Sequence, residues 1–273
     1  MKPFLRWAGG KNWLVRHIDQ IIGNQLFNNY HEPFLGGGSM YFHLNIGNEC
    51  FLSDLNESLI NTYIQIRDNV DLVINHLREF ENTEEFYYQI RHQIFEDETL
   101  QAAQFIYLNQ TSYNGIYRVN LRGIYNVPYG HRNKDFIQED LLRQCSVYLD
   151  GAHLNAGQFN QNIELIQPGD LVFLDPPYTI THNNNGFIKY NERLFSENDQ
   201  YRLSEFIGDI IEIGAFYILT NAAHNDIAEI FNHNQPVIMN RASLIGGRNA
   251  NRGNYEEFLF TNIENEFIEA NRN

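Results

Sequence analysis

An acid, two prolines and a tyrosine, Asp175-Pro176-Pro177-Tyr178, follow the apolar run Leu171-Val172-Phe173-Leu174. The prolines stiffen the turn, remove two backbone N–H donors and leave carbonyl acceptors. Such a segment can accept both hydrogens of an exocyclic amine, one on the Asp175 carboxylate and one on the Pro176 carbonyl. The amine lone pair then leaves conjugation with its ring and points at an electrophile. Tyr178 offers a ring face for a planar base to stack on, which is how a flipped nucleobase is held for chemistry. The same four residues also allow an ordinary proline turn with a tyrosine packed behind it.

A second constellation lies upstream. Tyr30 to Leu35 runs into Gly36-Gly37-Gly38-Ser39, and glycines after a strand let the backbone approach a cofactor, with donors from the N-terminus of a following helix. Gly36, Gly38 and Ser39 fit that role. The dinucleotide fingerprint fails at Tyr41, where a third small residue belongs. A phosphate-binding loop fails as well, because Gly10-Lys11 is followed by Asn12 and Leu5 stands in the first glycine position. Asp54 ends the next strand and can accept both hydroxyls of a ribose. These residues point to a nucleoside cofactor.

The elements that position these groups follow from hydrophobic spacing. Lys11 to Ile22 has helical periodicity, Tyr30 to Leu35 reads as a strand, and an apolar helix is expected after Ser39. Cys50 to Asp54 reads as a buried strand, with a helix from about Asn56 to Asp68 and helical patterns continuing to about Asn109. Gln110 to Gly130 is rich in Asn, Gly, Tyr and Arg and reads as a projecting loop or hairpin rather than core. A helix near Gln138 to Leu149 is expected, then strands around Leu154, Leu171 to Leu174, Ala215 to Thr220, Pro236 to Arg241 and Glu256 to Thr261. The expected fold class is α/β, a mostly parallel Rossmann-like sheet with a late antiparallel hairpin.

The 273 residues are 43% hydrophobic and 14% aromatic, enough to fill a core and to exclude wholesale disorder. With 34 acidic against 19 basic side chains, the net charge of −15 excludes a protein coated in cation for polyanions. The positive charge is local instead. Three segments hold bases and no acid: Met1 to Ile18 with Lys2, Arg6, Lys11 and Arg16; Thr99 to Lys134 with Arg118, Arg122, Arg132 and Lys134; Asn240 to Asn254 with Arg241, Arg248 and Arg252. Arginine far outnumbers lysine, and its planar fork can bond guanine edges and phosphates two-pronged. Two cysteines, Cys50 and Cys145, exclude a disulfide framework and a multi-cysteine zinc site. Neither a signal peptide nor a membrane span is expected, and a cytoplasmic protein without metal is.

Read in order from Phe4 to about Thr261, the motifs resemble the Dam-type, S-adenosylmethionine-dependent DNA adenine-N6 methyltransferases of the alpha group. Phe4 to Lys11 resembles that family's N-terminal cofactor motif, Glu32-Pro33-Phe34-Leu35-Gly36-Gly37-Gly38-Ser39 its glycine motif, Asp54 its ribose-binding acid and Asp175 to Tyr178 its catalytic motif. Tyr113 to Asn120, with Asn126 to Gly130, is similar to the DNA-reading hairpin of enzymes that methylate adenine in GATC. Phe195, Asp199 and Gln200 resemble a further motif. Where the family usually has Asp-Phe on the third strand, this chain has Gln158-Phe159, and Gln110 stands where relatives often have arginine.

The resemblance implies a catalytic S-adenosylmethionine-binding domain, 1–56 and 150–273, interrupted by a helical and hairpin DNA-recognition insertion, 57–149. It implies catalysis by Asp175, Pro176 and Tyr178. Cofactor contacts would come from Trp7, Ala8, Gly9, Lys11, Phe34, Gly36, Gly38, Ser39, Asp54, Gln158, Phe159 and Asp175. DNA contacts would come from Arg6, Tyr113, Asn114, Ile116, Arg118, Asn120, Arg122, Pro128, Arg241 and Arg248. The expected partner is duplex DNA, with a restriction endonuclease acting on the same site as a second. Two other functions compete: an amino methyltransferase for another DNA sequence or base, and a catalytically silent DNA-binding relative. Asp175 favours adenine over cytosine or glutamine, whose enzymes resemble Ser-Pro-Pro-Tyr or Asn-Pro-Pro-Tyr.

Overall fold

The computed structural model describes residues 1–44, 48–120, 123–132, 135–178, 195–242 and 254–272. They divide into two compact units, the first built from Met1–Asn12, Leu35–Asn45 and Phe51–Gln158, the second from Trp13–Phe34, Ile46–Cys50 and Phe159–Asn273. Among the described residues the seven strands are β1 (Tyr30–Glu32), β2 (Cys50–Asp54), β3 (His153–Ala156), β4 (Leu171–Leu174), β5 (Phe216–Ala222), β6 (Val237–Ala242) and β7 (Asn254–Thr261). Across the sheet they run β3-β2-β1-β4-β5-β7-β6.

In the first unit, helix α2 (Glu57–Arg78) starts where the Asn56 side chain accepts from the Leu59 N–H. It outruns the expected end at Asp68. Asn69 leaves helical geometry (φ −136°, ψ 34°), yet the buried stripe of Leu59, Tyr63 and Ile66 resumes at Val73, Ile74 and Leu77. Burial of that renewed stripe outweighs one kinked residue. Helix α3 (Glu84–His92) and helix α4 (Glu98–Thr111) follow, and α4, capped by Asp97, packs along α2. Helix α5 (Glu139–Leu149) precedes β3, which pairs in parallel with β2 from Phe51↔His153 to Asp54↔Ala156.

The described residues from Ser112 to Gly130 form a hairpin-like loop, bridged at Ser112↔Tyr129 and Val119↔Tyr125. It is less of a pure surface loop than its composition implies. Val127 and Tyr129 are buried, and Tyr87 and Tyr129 donate their hydroxyls to Val127 O and Asn82 O at 2.8 and 3.0 Å. Helix α3 and the turn before it hold its base, so only the tip projects.

The second unit opens with one turn of 3-10 helix (Leu14–Arg16) and the short helix α1 (Ile18–Ile22), so the helical spacing from Lys11 is realised only in part as α-helix. β1 stops at Glu32, before Pro33, earlier than the strand expected to Leu35. β4, buried at all four residues, pairs in parallel with β1 and β5, which is why it reads as a continuous apolar run rather than an alternating one. Helix α6 (Glu197–Ile213), absent from the sequence expectations, is framed by a Ser196/Asp199 capping box and ended by Gly214 at φ 87°. Its buried residues Leu203, Phe206, Ile207 and Ile210 pack in one core with Val172, Leu174, Tyr217 and Leu219. Helices α7 (Asn225–Ile230) and α8 (Glu266–Asn271) also belong to the unit. β7 lies between β5 and β6 and is antiparallel to both.

Asp170 locks the entry to β4. Fully buried, it accepts from Asn29 N and Gln167 N at 3.0 and 2.9 Å and from His31 Nε2–H at 2.8 Å. Burial pushes the His31 imidazole below its ordinary value, with Asp170 opposing that. Asp170→Asn would turn an NH2 group toward one of these donors, and the variant should lose about 1–2 kcal/mol in urea unfolding. Unaltered unfolding would show that the lock contributes nothing.

Candidate active site

In the first unit the glycine turn is shaped by Trp7. Gly36 sits at φ +47°, a backbone conformation that side chains rarely adopt, and a Cβ there would lie 2.7 Å from Trp7 Nε1. A Cβ on Gly37 would stand 2.8 Å from Trp7 Cβ. Trp7 in turn stacks on Tyr117 of the hairpin, ring centroids 5.5 Å apart, and on Phe105 of α4 at 6.5 Å. The described residues after Ser39, up to Leu44, form turns rather than the expected helix. The donors in this region are therefore those of a turn.

Asp54 closes the same turn. One carboxylate oxygen accepts from Gly36 N at 2.9 Å and the other from Asn56 N at 3.0 Å. Burial raises its pKa above the ordinary carboxylate value, opposed by these backbone N–H groups and that of Leu55. Each oxygen can accept more than one hydrogen bond, so the donor set suits two further hydroxyls. Ala8 and Gly9 are exposed, while Lys11, only 4% exposed, donates through Nζ to Gly9 O at 3.0 Å. Gln158 is exposed.

In the second unit, Phe34 and Phe159 stack with centroids 5.4 Å apart, Phe195 stands edge-on to Phe34 at 5.7 Å, and the Arg202 guanidinium lies over the Phe159 ring at 5.4 Å. Phe159 is thus part of the core as well as a candidate contact. Asp199, from the same motif, spends its carboxylate on the α6 cap and on Arg202.

The strand order changes direction at β1, so the carboxyl ends of β1 and β4 flank a topological switch point, where open α/β sheets bind ligands. Asp175 follows β4 there. Thr220 on β5 donates to Asp175 Oδ1 at 2.9 Å, and Tyr178 donates its hydroxyl to Glu257 Oε2 on β7 at 2.7 Å. Asn221 donates to Gln200 Oε1 at 3.1 Å. Burial and the charges of Glu257 and Asp175 raise the Tyr178 pKa far above its ordinary value, so the phenol keeps its proton. Pro176 is buried, Asp175 and Tyr178 half-buried. Sequence reasoning missed Thr220 and Glu257. The available signals were two polar residues ending the apolar run Tyr217 to Leu219, and an acid in step with the buried Leu259 and Thr261.

The hairpin presents the candidate DNA residues. Tyr113 is 56% exposed, and Asn114, at φ 56°, turns the chain with Gly115 next to the Ser112↔Tyr129 bridge. Arg118, Asn120 and Pro128 are exposed and Ile116 half-exposed. Arg118 has a partner that its sequence context did not reveal: its Nε donates to Asn126 Oδ1 at 2.8 Å, which fixes the plane of the guanidinium. Asn120 Oδ1 accepts from Ile124 N at 3.1 Å and closes the outer turn. Buried Asn109 clamps the Arg6 backbone through N and O, and the Arg6 guanidinium lies against Gly115, with its pKa lowered by burial and by Arg132. Arg122 and Arg248 lie outside the described residues, and Arg241 stands in β6.

The reversed β7 between β5 and β6 sets this α/β sheet apart from the all-parallel dinucleotide fold. The chain belongs to the D12 class N6 adenine-specific DNA methyltransferase family, whose model matches residues 7–244. It is 31% identical over 278 residues to a type II methyltransferase of Lactococcus lactis subsp. cremoris, covering 97% of this chain and 96% of the relative. Over 248 residues it is 35% identical to a type II methyltransferase of Methanocaldococcus jannaschii, covering 83% and 86%. Over 219 residues it is 30% identical to the DNA adenine methylase of Escherichia coli, covering 77% of each chain.

Proposed function

We propose that this adenine-specific DNA methyltransferase acts on the N6 amino group of an adenine flipped out of duplex DNA, within the sequence GATC. The observation that carries the reading is the anchored Asp175–Tyr178 segment at the carboxyl end of β4. Bound S-adenosylmethionine supplies an electrophilic methyl group. Asp175 accepts one N6 hydrogen and the Pro176 carbonyl the other, which directs the nitrogen lone pair out of the base plane. As the N–CH3 bond forms and the S–CH3 bond breaks, one N6 proton leaves, with the Asp175 carboxylate placed to receive it. Tyr178 holds the base by its ring face. Trp7, Gly36, Gly38, Ser39 and Asp54 are assigned to the cofactor, Asp54 to its ribose.

Sequence choice is assigned to the hairpin. Tyr113 and Asn114 help to displace the adenine, Arg118 reads a guanine through O6 and N7, and Ile116 and Pro128 contact a thymine methyl. Arg6, Arg241 and, beyond the described residues, Arg122 and Arg248 are assigned to phosphates. The test incubates duplexes carrying GATC and each single-pair variant with labelled S-adenosylmethionine and locates the modified base. Labelled N6-methyladenine in GATC is expected. A parent enzyme indifferent to GATC removes the specificity, and cofactor binding without transfer marks a silent relative. In the same assay Arg118→Ala should narrow discrimination at the guanine-bearing pairs by about 1–3 kcal/mol. An unchanged ranking of sites with uniformly weaker binding would make Arg118 a phosphate contact.

Two of the relatives are type II methyltransferases, and the proposed second partner is a restriction endonuclease that cuts the same sequence. Protection of GATC sites from such an enzyme in cells expressing this chain checks that. The proposed location is the cytoplasm. No helix among the described residues is long and apolar enough to cross a membrane.

A further inference from the structure

We propose that Thr220 and Glu257, side by side on one face of the β5–β7 pair, are positioning residues that hold Asp175 and Tyr178 in their working orientations. The inference rests on the catalytic reading of Asp175 to Tyr178 and adds the groups that make that segment rigid.

Residues directly opposite in an antiparallel pair point to the same face, as do residues two apart on one strand. Thr220 pairs with Leu259 and Ala222 with Glu257, so Thr220 and Glu257 share a face. Both are buried, Thr220 at 0% and Glu257 at 2% exposure. A buried hydroxyl or carboxylate destabilises unless it is bonded, and each is bonded to the motif: Thr220 Oγ1–H to Asp175 Oδ1 at 2.9 Å, and Glu257 Oε2 to the Tyr178 hydroxyl at 2.7 Å.

The terminal torsion of a carboxylate is broad and roughly two-fold, so an untethered Asp175 would present its oxygens over a range of directions. Thr220 removes that range by fixing Oδ1, and the second oxygen then keeps one direction. Tyr178 is fixed at the far end of its ring, because its phenol stays protonated beside two acids and remains a donor to Glu257. A tethered ring keeps one plane for the base. The reversal of β7 gains a purpose here, since its place beside β5 brings Glu257 to a motif 79 residues away in the chain.

The test compares single-turnover methyl transfer, cofactor and DNA affinity, and melting temperature for Thr220→Val, Thr220→Ser and Asp175→Ala. Thr220→Val keeps the volume and removes the donor, and transfer should slow by about 10- to 50-fold, the worth of one charge-assisted hydrogen bond. Both affinities should stay within about twofold, because the bond acts on orientation rather than ground-state binding. Thr220→Ser, which keeps the hydroxyl, should recover most of the rate. Should the valine variant fail to fold, Thr220→Cys, similar in volume with a weak donor, takes its place. For the second tether, the rate losses of Tyr178→Phe and Glu257→Gln should overlap in the double variant, whereas additive losses would mean that the pair does not act as a unit. A valine variant at parental rate, or a serine variant as slow as valine, overturns the role of Thr220. If Asp175→Ala also transfers at parental rate, the catalytic reading itself fails. If Asp175→Ala is inactive and Thr220→Val is not impaired, only the present inference fails.

Discussion

Asp175→Ala is expected to slow methyl transfer by about a thousandfold or more, with cofactor affinity changed by less than about threefold. The amine of adenine is conjugated with its ring and is a poor nucleophile until its two hydrogens are held out of plane. That alignment is completed in the transition state, so its loss falls on kcat rather than on ground-state binding. Asp175 Oδ1 already accepts a hydrogen bond from Thr220, so the carboxylate is held in one orientation. Alanine removes the acceptor and also leaves the buried Thr220 hydroxyl without its Asp175 contact, so melting should be recorded beside the kinetics. Labelled methyl incorporation into a GATC duplex under single turnover is the measurement. Near-parental transfer by a folded variant would remove Asp175 from the mechanism.

Asp54→Ala is expected to weaken S-adenosylmethionine binding by about 10- to 150-fold, the cost of about 1.5–3 kcal/mol for two hydroxyls that lose an ionised acceptor. The variant also releases Gly36 N and Asn56 N, which loosens the turn that Trp7 packs on. Calorimetric titration decides the matter, and unchanged affinity would place the ribose elsewhere. The pH dependence follows from the raised pKa of Asp54, whose first cause is burial. A carboxyl whose pKa is higher in the folded state stabilises the fold below its unfolded pKa and loses that contribution as pH rises through the folded value. The ionised form of the acid is therefore held at a cost that two bound hydroxyls would offset. Cofactor affinity should fall with acidification at a higher pH than an ordinary aspartate would give, and Asp54→Ala should flatten that profile.

The parts legible in the sequence are those set by neighbouring residues. β2, β4, β5 and β7 stand close to where apolar runs place them, because a strand buried in a sheet needs a short apolar segment whatever its partner. The turn after β4 was readable because two prolines cannot continue the strand, and the hairpin because turn residues replace core residues. Errors arose where local signals competed. The apolar residues after Ser39 make turns, and Asn69 hid a helix that continues to Arg78. Helix α6 went unread, although its capping box of Ser196 and Asp199 was present in the sequence.

Pairing over long separations was decided only by the tertiary structure. A period of two tells which residues of a strand share a face, but not which strand lies beside it. The sequence shows two late strands, β6 and β7, and the register of the sheet alone puts β7 against β5, which brings Glu257 to Tyr178. The same holds for Trp7 on the glycine turn, for Asn109 on Arg6, and for Asp170 and His31, 139 residues apart. Residue types and local spacing fixed the chemistry this chain can attempt. The groups bonded to those residues come from distant strands and loops, and they meet only when burial of the apolar faces sets the register.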